Sequence, residues 1–348
     1  MKETSPLLRE VSRSFYLSLR VLPQEVRPQI SLAYLLARAS DTVADTRAVD
    51  RGRRLELLRR MRTGDFRSVE SLAADQALPA EQLLLENLEN CSQELSTLET
   101  ADQKLILGLL DTIISGQIFD LERFPDSSTG SLIALSDEKE LDEYTYKVAG
   151  CVGEFWTRIC GAHLTPFKAL DQEEMVRLGI RFGKGLQLVN ILRDMAADLR
   201  MGRCYLPVQD PQALLDPLRR AELLPLYARK LDEALEHLDS GWRYALNIPA
   251  GLKRLRLACI WPIWIGLETI ALMRRSSDPL DPAQRVMVPQ WKVYLFLAQS
   301  FLYSGSNTLL DRAYRSLRSR ASFVSMKDSS LRHPGESQGP GARINGNP

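Results

Sequence analysis

The sequence has little of what marks several classes of protein. Its 45 basic and 44 acidic residues nearly cancel, so its charge gives no reason to expect a nucleic-acid partner. Its three histidines are scattered and no HExxH spacing occurs, so a histidine zinc site is not indicated. No GxGxxG turn follows a strand pattern, which argues against a Rossmann dinucleotide site.

Disulfide and membrane signals are also weak. The five cysteines contain no CxxC pair and are odd in number, which predicts reduced thiols in a cytoplasmic protein. The most apolar run, residues 257–273, is interrupted by Pro262 and Glu268. It is shorter than the roughly 20 apolar residues that a membrane span needs, so it predicts a buried helix. Peripheral contact with a membrane stays open.

What the sequence has in abundance is helical periodicity. Strand signals are scarce, and apolar residues recur at intervals of three and four. We therefore predict an all-α protein with one domain over residues 1–320. From residue 321 the chain is rich in Gly, Pro and Ser, which predicts a disordered polar tail over 321–348. The predicted helical segments are 26–46, 81–120, 137–161, 171–200, 220–246, 252–274 and 289–319.

The first unusual stretch is AYLLARASDTVADTR, residues 33–47. Asp41 and Asp45 lie four residues apart in an apolar helix, where like charges cost a few tenths of a kcal/mol. Tyr34 and Arg38 precede them at helical spacing and share their face.

A second helix repeats this design. Gln187, Asn190, Asp194 and Asp198 follow one another at steps of three, four and four, which places them on one helix face. If the two faces meet, four carboxylates converge across a cleft. Such an oxygen-rich site suits Mg²⁺, which commonly shares its ligands between carboxylates and substrate phosphates. The alternative for each pair alone is a solvated helix edge.

Four blocks in order make the sequence resemble the squalene/phytoene synthase family: SRSFYLSLRVLP, AYLLARASDTVAD, YTYKVAGCVGEFW and QLVNILRDMAADLRMGRCYLP. The resemblance covers roughly residues 8–310. It implies the all-α isoprenoid synthase fold, a helical bundle around a central cleft, and the head-to-head joining of two prenyl diphosphates. It further implies that Mg²⁺ bridges the diphosphate to Asp41, Asp45, Asp194 and Asp198, with Asn190 as a further ligand.

The same resemblance implies roles for other residues. Ser12, Arg13, Ser14 and Phe15 would close over a diphosphate, although SRSF alone could equally be an N-cap. Arg38, Arg193 and Arg203 would meet diphosphate oxygens, or form ordinary surface ion pairs. Tyr144 would be a base or proton relay, and Tyr205 matches a family active-site tyrosine. The remaining expected substrate contacts are Tyr34, Gln187, Val148, Val152 and Gly153. Glycines at 150 and 153 suit close approach by a helix or by a prenyl chain.

The product is the finest inference from the resemblance. DTVAD, with Thr42, resembles squalene synthases, whereas phytoene synthases and presqualene diphosphate synthases more often have DDxxD. We therefore expect farnesyl diphosphate as substrate and NADPH as reductant, with no NADPH-binding residue assigned. The alternatives are a non-reductive presqualene diphosphate or phytoene synthase, and a non-catalytic family member acting as a scaffold. The second motifs of head-to-tail transferases and terpene cyclases are not present.

Overall fold

Helices account for almost all regular structure in the part of the chain that is described. The computed structural model describes residues 7–8, 10–11, 15–124, 131–216, 219, 224–276, 278, 280–281 and 286–323. In chain order the helices are α1 (Phe15–Val21), α2 (Arg27–Asp45), α3 (Arg51–Arg62), α4 (Pro79–Glu86), α5 (Leu88–Thr97), α6 (Thr100–Arg123), α7 (Glu138–Thr145), α8 (Cys151–His163), α9 (Thr165–Lys168), α10 (Gln172–Arg200), α11 (Leu224–Asn247), α12 (Lys253–Arg275), α13 (Gln290–Tyr303) and α14 (Asn307–Ser322). Short 3₁₀ turns occupy Arg67–Asp75 and Pro211–Leu214. The fold class is all-α, as expected.

Aspartates begin three of these helices. Asp50, Asp137 and Asp171 each accept a hydrogen bond from a backbone N–H three residues later, at 2.8–3.1 Å. These caps satisfy N–H groups that have no partner within the helix. They set where α3, α7 and α10 start.

A π-helical turn, Tyr146–Gly150, joins α7 to α8 without a break in the chain's helical course. Such turns insert one extra residue per turn and often occur at functional sites. The predicted segment 137–161 is therefore helical throughout but changes its winding where Val148 lies.

Two strands anchor the end of α10. β1 (Ile133–Ala134) and β2 (Arg203–Cys204) pair in parallel, with Ile133 opposite Arg203. Between α10 and β2, Gly202 has φ +80°, and a Cβ there would lie 2.8 Å from the Ser131 carbonyl oxygen. Glycine therefore allows both the reversal and the close approach of the two strands.

The core lies between α10, α11, α12 and the helices packed around them. Trp264 and Tyr244 are among its largest fully buried side chains. α12 is long and apolar enough, by length and composition, to cross a membrane, but 78% of its apolar window is buried inside the bundle. This agrees with the prediction of a buried helix.

Several predicted boundaries are wrong. The segment 81–120 contains three helices, α4, α5 and α6, and 289–319 contains α13 and α14. Helices α1 and α3 were not predicted. The segments 26–46 and 171–200 match α2 and α10 within one residue. The last described helix ends at Ser322, and residues 324–348, most of the predicted tail, lie outside the described residues.

Candidate functional site

A largely buried pair formed by Asp120 and Arg203 is within electrostatic range of one acid from each aspartate-bearing helix face. Asp120, on α6, accepts a hydrogen bond from the Arg203 guanidinium at 3.0 Å. Asp45 on α2 and Asp198 on α10 both act electrostatically on Asp120 and on Arg203. One acid from each face therefore acts on the same central pair, while the convergence of all four predicted carboxylates stays a prediction.

Two acids on these faces, Asp41 and Asp198, have raised pKa values, chiefly because they are buried. Burial, followed by the charge of Asp45, raises the pKa of Asp41 to about 6, while Arg38 and a hydrogen bond from Gln117 at 2.5 Å oppose the shift. Burial and the charge of Asp194 raise the pKa of Asp198 to about 7. A bound cation would stabilise the ionised form of both buried carboxylates.

The donors fit a hard divalent cation. Carboxylate and amide oxygens are the ligands that Mg²⁺ prefers, often with only one or two carboxylates beside water and phosphate. Among the described residues, no three His, Cys, Asp or Glu side chains are close enough to hold an ion by themselves. The set therefore suits Mg²⁺ shared with a phosphate ligand better than a preformed protein cage. The metal ligands named from the sequence stay a prediction.

Asp120 is the main site residue that sequence reasoning missed. Its second carboxylate oxygen accepts a hydrogen bond from the Tyr205 hydroxyl at 2.6 Å. Burial raises the pKa of Asp120, with Arg203 opposing the shift. The available signal was Gln117 and Asp120, two polar residues three apart near the end of an apolar helix.

Tyr144 and Tyr205 form one aromatic unit beside Asp120. Their rings stack with centroids 5.0 Å apart and planes 19° from parallel. Burial and the Asp120 charge raise the pKa of both phenols well above the usual value. Both hydroxyls are therefore protonated at neutral pH, which fits a proton relay better than a free phenolate base.

The three predicted arginines all pair with carboxylates. Arg38 contacts Glu81 at 2.7 Å, and both side chains are half-buried. Arg193 binds both oxygens of Asp194, its neighbour in sequence, at 2.8 and 2.5 Å. A diphosphate would therefore have to compete with these carboxylates for the guanidinium groups.

An apolar cavity of about 180 Å³ adjoins the α10 face. Val148, Val152 and Gly153 line it on one side, and their role in a prenyl channel stays a prediction. Gln187 and Asn190 line it from α10, next to the acid stripe. The cavity thus places the apolar residues that were expected to contact substrate next to the polar residues Gln187 and Asn190.

Gly153 also makes the closest helix contact in this region. A Cβ at Gly153 would lie 1.9 Å from the Gly179 carbonyl oxygen, so α8 and α10 touch through their backbones. The helix-packing alternative is confirmed, while close approach by a prenyl chain stays a prediction. The residue packs two helices together and lines the cavity.

The N-terminal block is only partly described. Ser12, Arg13 and Ser14 lie outside the described residues, and Phe15 begins α1. Tyr34, half-buried on α2, donates a hydrogen bond to the Val11 carbonyl oxygen at 3.4 Å. This contact links α2 to the segment that contains the block.

The five cysteines are free and buried. Burial raises the pKa of each thiol, so these thiols are protonated and inert at neutral pH. None is a nucleophile for the site.

The family model described as squalene/phytoene synthase matches residues 8–292, so the chain belongs to the squalene/phytoene synthase family. This is a family of prenyltransferase-type enzymes that act on isoprenyl diphosphates. The chain is 27% identical to the 15-cis-phytoene synthase of Synechocystis sp., over 87% of this chain and 86% of that protein. It is also 27% identical to the squalene synthase of Yarrowia lipolytica, over 78% of this chain but 61% of that protein, less than two thirds of its length.

The fold is shared with solved structures. The structure of TcSQS in complex with the ligand BPH1237 superposes with a TM-score of 0.72 at 20% identity, covering 97% of this chain and 93% of that chain. The chain therefore has the isoprenoid synthase helical fold.

Proposed function

We propose that this protein joins two molecules of farnesyl diphosphate head to head in a Mg²⁺-dependent reaction, through presqualene diphosphate, and reduces the intermediate with NADPH to squalene. The observation that carries the proposal is the action of Asp45 on α2 and Asp198 on α10 on the same Asp120–Arg203 pair, with an apolar cavity beside the α10 face. Polar and apolar halves in contact suit a substrate with a diphosphate head and a prenyl chain.

Departure of diphosphate is the step that the charged half of the site supports. Mg²⁺ held by Asp41, Asp45, Asn190, Asp194 and Asp198 would stabilise the negative charge of the leaving group. Arg193 and Arg203 would donate hydrogen bonds to the diphosphate oxygens, exchanging their present carboxylate partners for it. Such donors stabilise the charge as it develops.

Control of the carbocation falls to the apolar half. The cavity walls formed by Val148, Val152, Phe182 and Leu186 exclude water, which would otherwise trap the cation as an alcohol. Val152→Phe should therefore reduce turnover with farnesyl diphosphate more than with geranyl diphosphate, as measured by product formation. Equal losses for both chains would contradict a chain-binding role for Val152.

Loss of a proton accompanies formation of the cyclopropane ring. The Tyr205 hydroxyl already donates to Asp120 Oδ1, and Tyr144 stacks on Tyr205. A carboxylate with a raised pKa is a better proton acceptor than an ordinary one. Tyr144 and Tyr205 would thus pass the proton to Asp120.

The choice of squalene rests on the DTVAD form of the first motif. Thr42 is buried and its hydroxyl donates to the Arg38 carbonyl oxygen at 3.1 Å. A second candidate, a non-reductive presqualene diphosphate or phytoene synthase, is favoured by the similarity to a phytoene synthase over most of both chains. A non-catalytic scaffold role is disfavoured because all four predicted acidic ligands are present.

Product analysis tests the proposal. Purified protein is incubated with farnesyl diphosphate and Mg²⁺, with NADPH, with NADH and with neither, and the extracts are analysed by mass spectrometry. We expect squalene with NADPH and presqualene diphosphate without a reductant. Presqualene diphosphate under all three conditions would favour the non-reductive synthase. Phytoene from geranylgeranyl diphosphate, with farnesyl diphosphate unused, would overturn the substrate.

We also propose a cytoplasmic location with peripheral membrane contact. Five buried, free thiols suit a reducing compartment, and squalene is insoluble in water. Cell fractionation should recover the protein from the cytosol and from the salt wash of the membranes. Recovery only after detergent extraction would contradict a peripheral location.

A further inference from the structure

The helix α13 presents an apolar face to solvent. Its outward side chains recur at helical spacing and contain no charge: Trp291, Tyr294, Leu295, Ala298, Phe301 and Leu302. Trp291 is 66% exposed, Phe301 68% and Leu302 74%. Together the five large side chains expose roughly 600 Å², counting about 200 Å² for each full side chain. A contiguous apolar patch of this size indicates an interaction surface.

The inward face of the same helix is held in place by specific polar contacts. Lys292 donates to the buried Glu268 carboxylate at 2.5 Å, and the indole N–H of Trp261 donates to the Ser300 hydroxyl at 2.8 Å. Phe296 packs its ring edge against Trp264. The helix therefore cannot rotate to bury its apolar stripe without breaking these bonds.

Positive charge borders the stripe. A groove of about 340 Å³ lies between α13 and α14 and is lined by Gln299, Tyr303, Arg312 and Arg320. Both arginines are exposed. Arg320 lies 3.9 Å from Oε2 of Glu268, whose Oε1 already pairs with Lys292, so the charge of Arg320 is only partly balanced.

We infer that α13 is an interfacial membrane-binding helix, with its apolar stripe in the headgroup region and Arg312 and Arg320 against anionic phospholipid headgroups. An outward face of Trp, Tyr, Phe and Leu beside cations is the composition of helices that lie in the membrane plane. The helix is about 21 Å long at 1.5 Å per residue, too short for a bilayer core of about 30 Å. It would therefore lie on the bilayer and not cross it.

A lipid surface fits this face better than a second copy of the chain does. Stable protein–protein interfaces bury about 800 Å² on each partner, more than the stripe offers. The adjoining arginines would also meet their own like charges across a two-fold axis, whereas an anionic bilayer complements them. This inference is independent of which prenyl product the enzyme makes.

Vesicle flotation tests the inference with the full chain. The protein is mixed with neutral phosphatidylcholine vesicles or with vesicles containing phosphatidylglycerol, and the bound fraction is measured. We expect binding to the anionic vesicles, and a loss of at least about tenfold in the partition coefficient for Phe301→Glu combined with Leu302→Glu. Arg312→Gln should weaken binding about fivefold to the anionic vesicles only.

Matched controls separate this face from general hydrophobicity. Leu83→Glu combined with Leu107→Glu changes two other exposed leucines, each 39% exposed, and should leave flotation unchanged. Circular dichroism verifies that each variant is folded. Trp291→Phe, a milder change, should remove most of the blue shift in tryptophan emission that vesicles cause.

Three results would overturn the inference. The first is wild-type protein that does not float with either vesicle. The second is equal flotation of the two double variants. The third is a wild-type protein that is a dimer in light scattering, a double variant Phe301→Glu and Leu302→Glu that is a monomer, and no vesicle binding by either protein. The apolar stripe would then be covered by a second copy of the chain.

Discussion

Replacement of Asp120 by Asn tests the central pair of the site. Asp120 accepts hydrogen bonds from Arg203 at 3.0 Å and from Tyr205 at 2.6 Å. The side chains of Asp120 and Arg203 are only 13% and 18% exposed. The substitution keeps the volume but removes the negative charge, so the largely buried Arg203 guanidinium loses its ion-pair partner and retains only the electrostatic influence of Asp45 and Asp198.

The expected cost follows from that burial. Breaking a buried ion pair by removing one partner costs about 3–5 kcal/mol, and residual solvent access places this pair near 3 kcal/mol. Unfolding entropy of about 2.1 cal/mol/K per residue converts this cost into a fall in Tm of about 4 °C for a chain of this length. Loss of the proton acceptor should also lower turnover by at least about 100-fold.

Differential scanning calorimetry and a steady-state assay measure the two effects. The matched control is Asp142→Asn. Asp142 forms an ion pair with Lys184 at 2.6 Å, but its side chain is 60% exposed. Exposed pairs contribute about 0–1 kcal/mol, so the control should shift Tm by about 1 °C or less. If Asp120→Asn has the same Tm as the control variant and keeps the wild-type turnover, Asp120 is neither the counter-ion of Arg203 nor part of the proton path.

Three further predictions concern other parts of the molecule. Asp41→Asn and Asp194→Asn should each reduce turnover at limiting Mg²⁺ by at least about 100-fold, because each removes a ligand charge, and the circular dichroism spectrum should stay unchanged. A near-normal rate would refute the metal assignment. Gly153→Ala should lower Tm by about 3 °C because the added Cβ would overlap a backbone carbonyl oxygen. Gly108→Ala is the control and should raise Tm slightly, because a Cβ at Gly108 would have no atom within 4 Å. Equal shifts would contradict the packing contact. Burial, and next the charge of Arg181, lowers the pKa of His237 from 6.5 to about 4, so stability should fall as pH drops from 6.5 towards 4, by at most about 2 kcal/mol at pH 5. Unfolding titrations should show a flatter profile for His237→Gln, and an unchanged profile would rule the residue out.

The sequence predicted the two aspartate helices well because their signal is local. In α2 and α10, polar residues at steps of three and four interrupt an apolar pattern, and that spacing alone places them on one face. Their boundaries, Arg27–Asp45 and Gln172–Arg200, match the predicted segments within one residue. Periodicity was less informative between residues 81 and 120, where Asn87 and Leu98–Glu99 separate helices without Gly or Pro.

Asp120 could not be placed in the same way. Its role depends on Arg203, 83 residues later, which reaches it because Gly202 ends α10 and β2 pairs with β1. Local patterns carry no information on such a long-range pairing. The π-helical turn is a similar case, because its winding between Tyr146 and Gly150 has no residue type that marks it.

The exposed stripe of α13 shows a further limit of periodicity. An amphipathic pattern defines two faces of a helix but does not say which one is buried. Here Glu268 decides, since its carboxylate on α12 is almost fully buried and an unpaired buried charge is strongly destabilising. Lys292 must therefore point inward to neutralise it, and this orientation sends Trp291, Tyr294 and Phe301 outward. A buried acid in the core thus determines which face of the neighbouring helix is exposed to solvent.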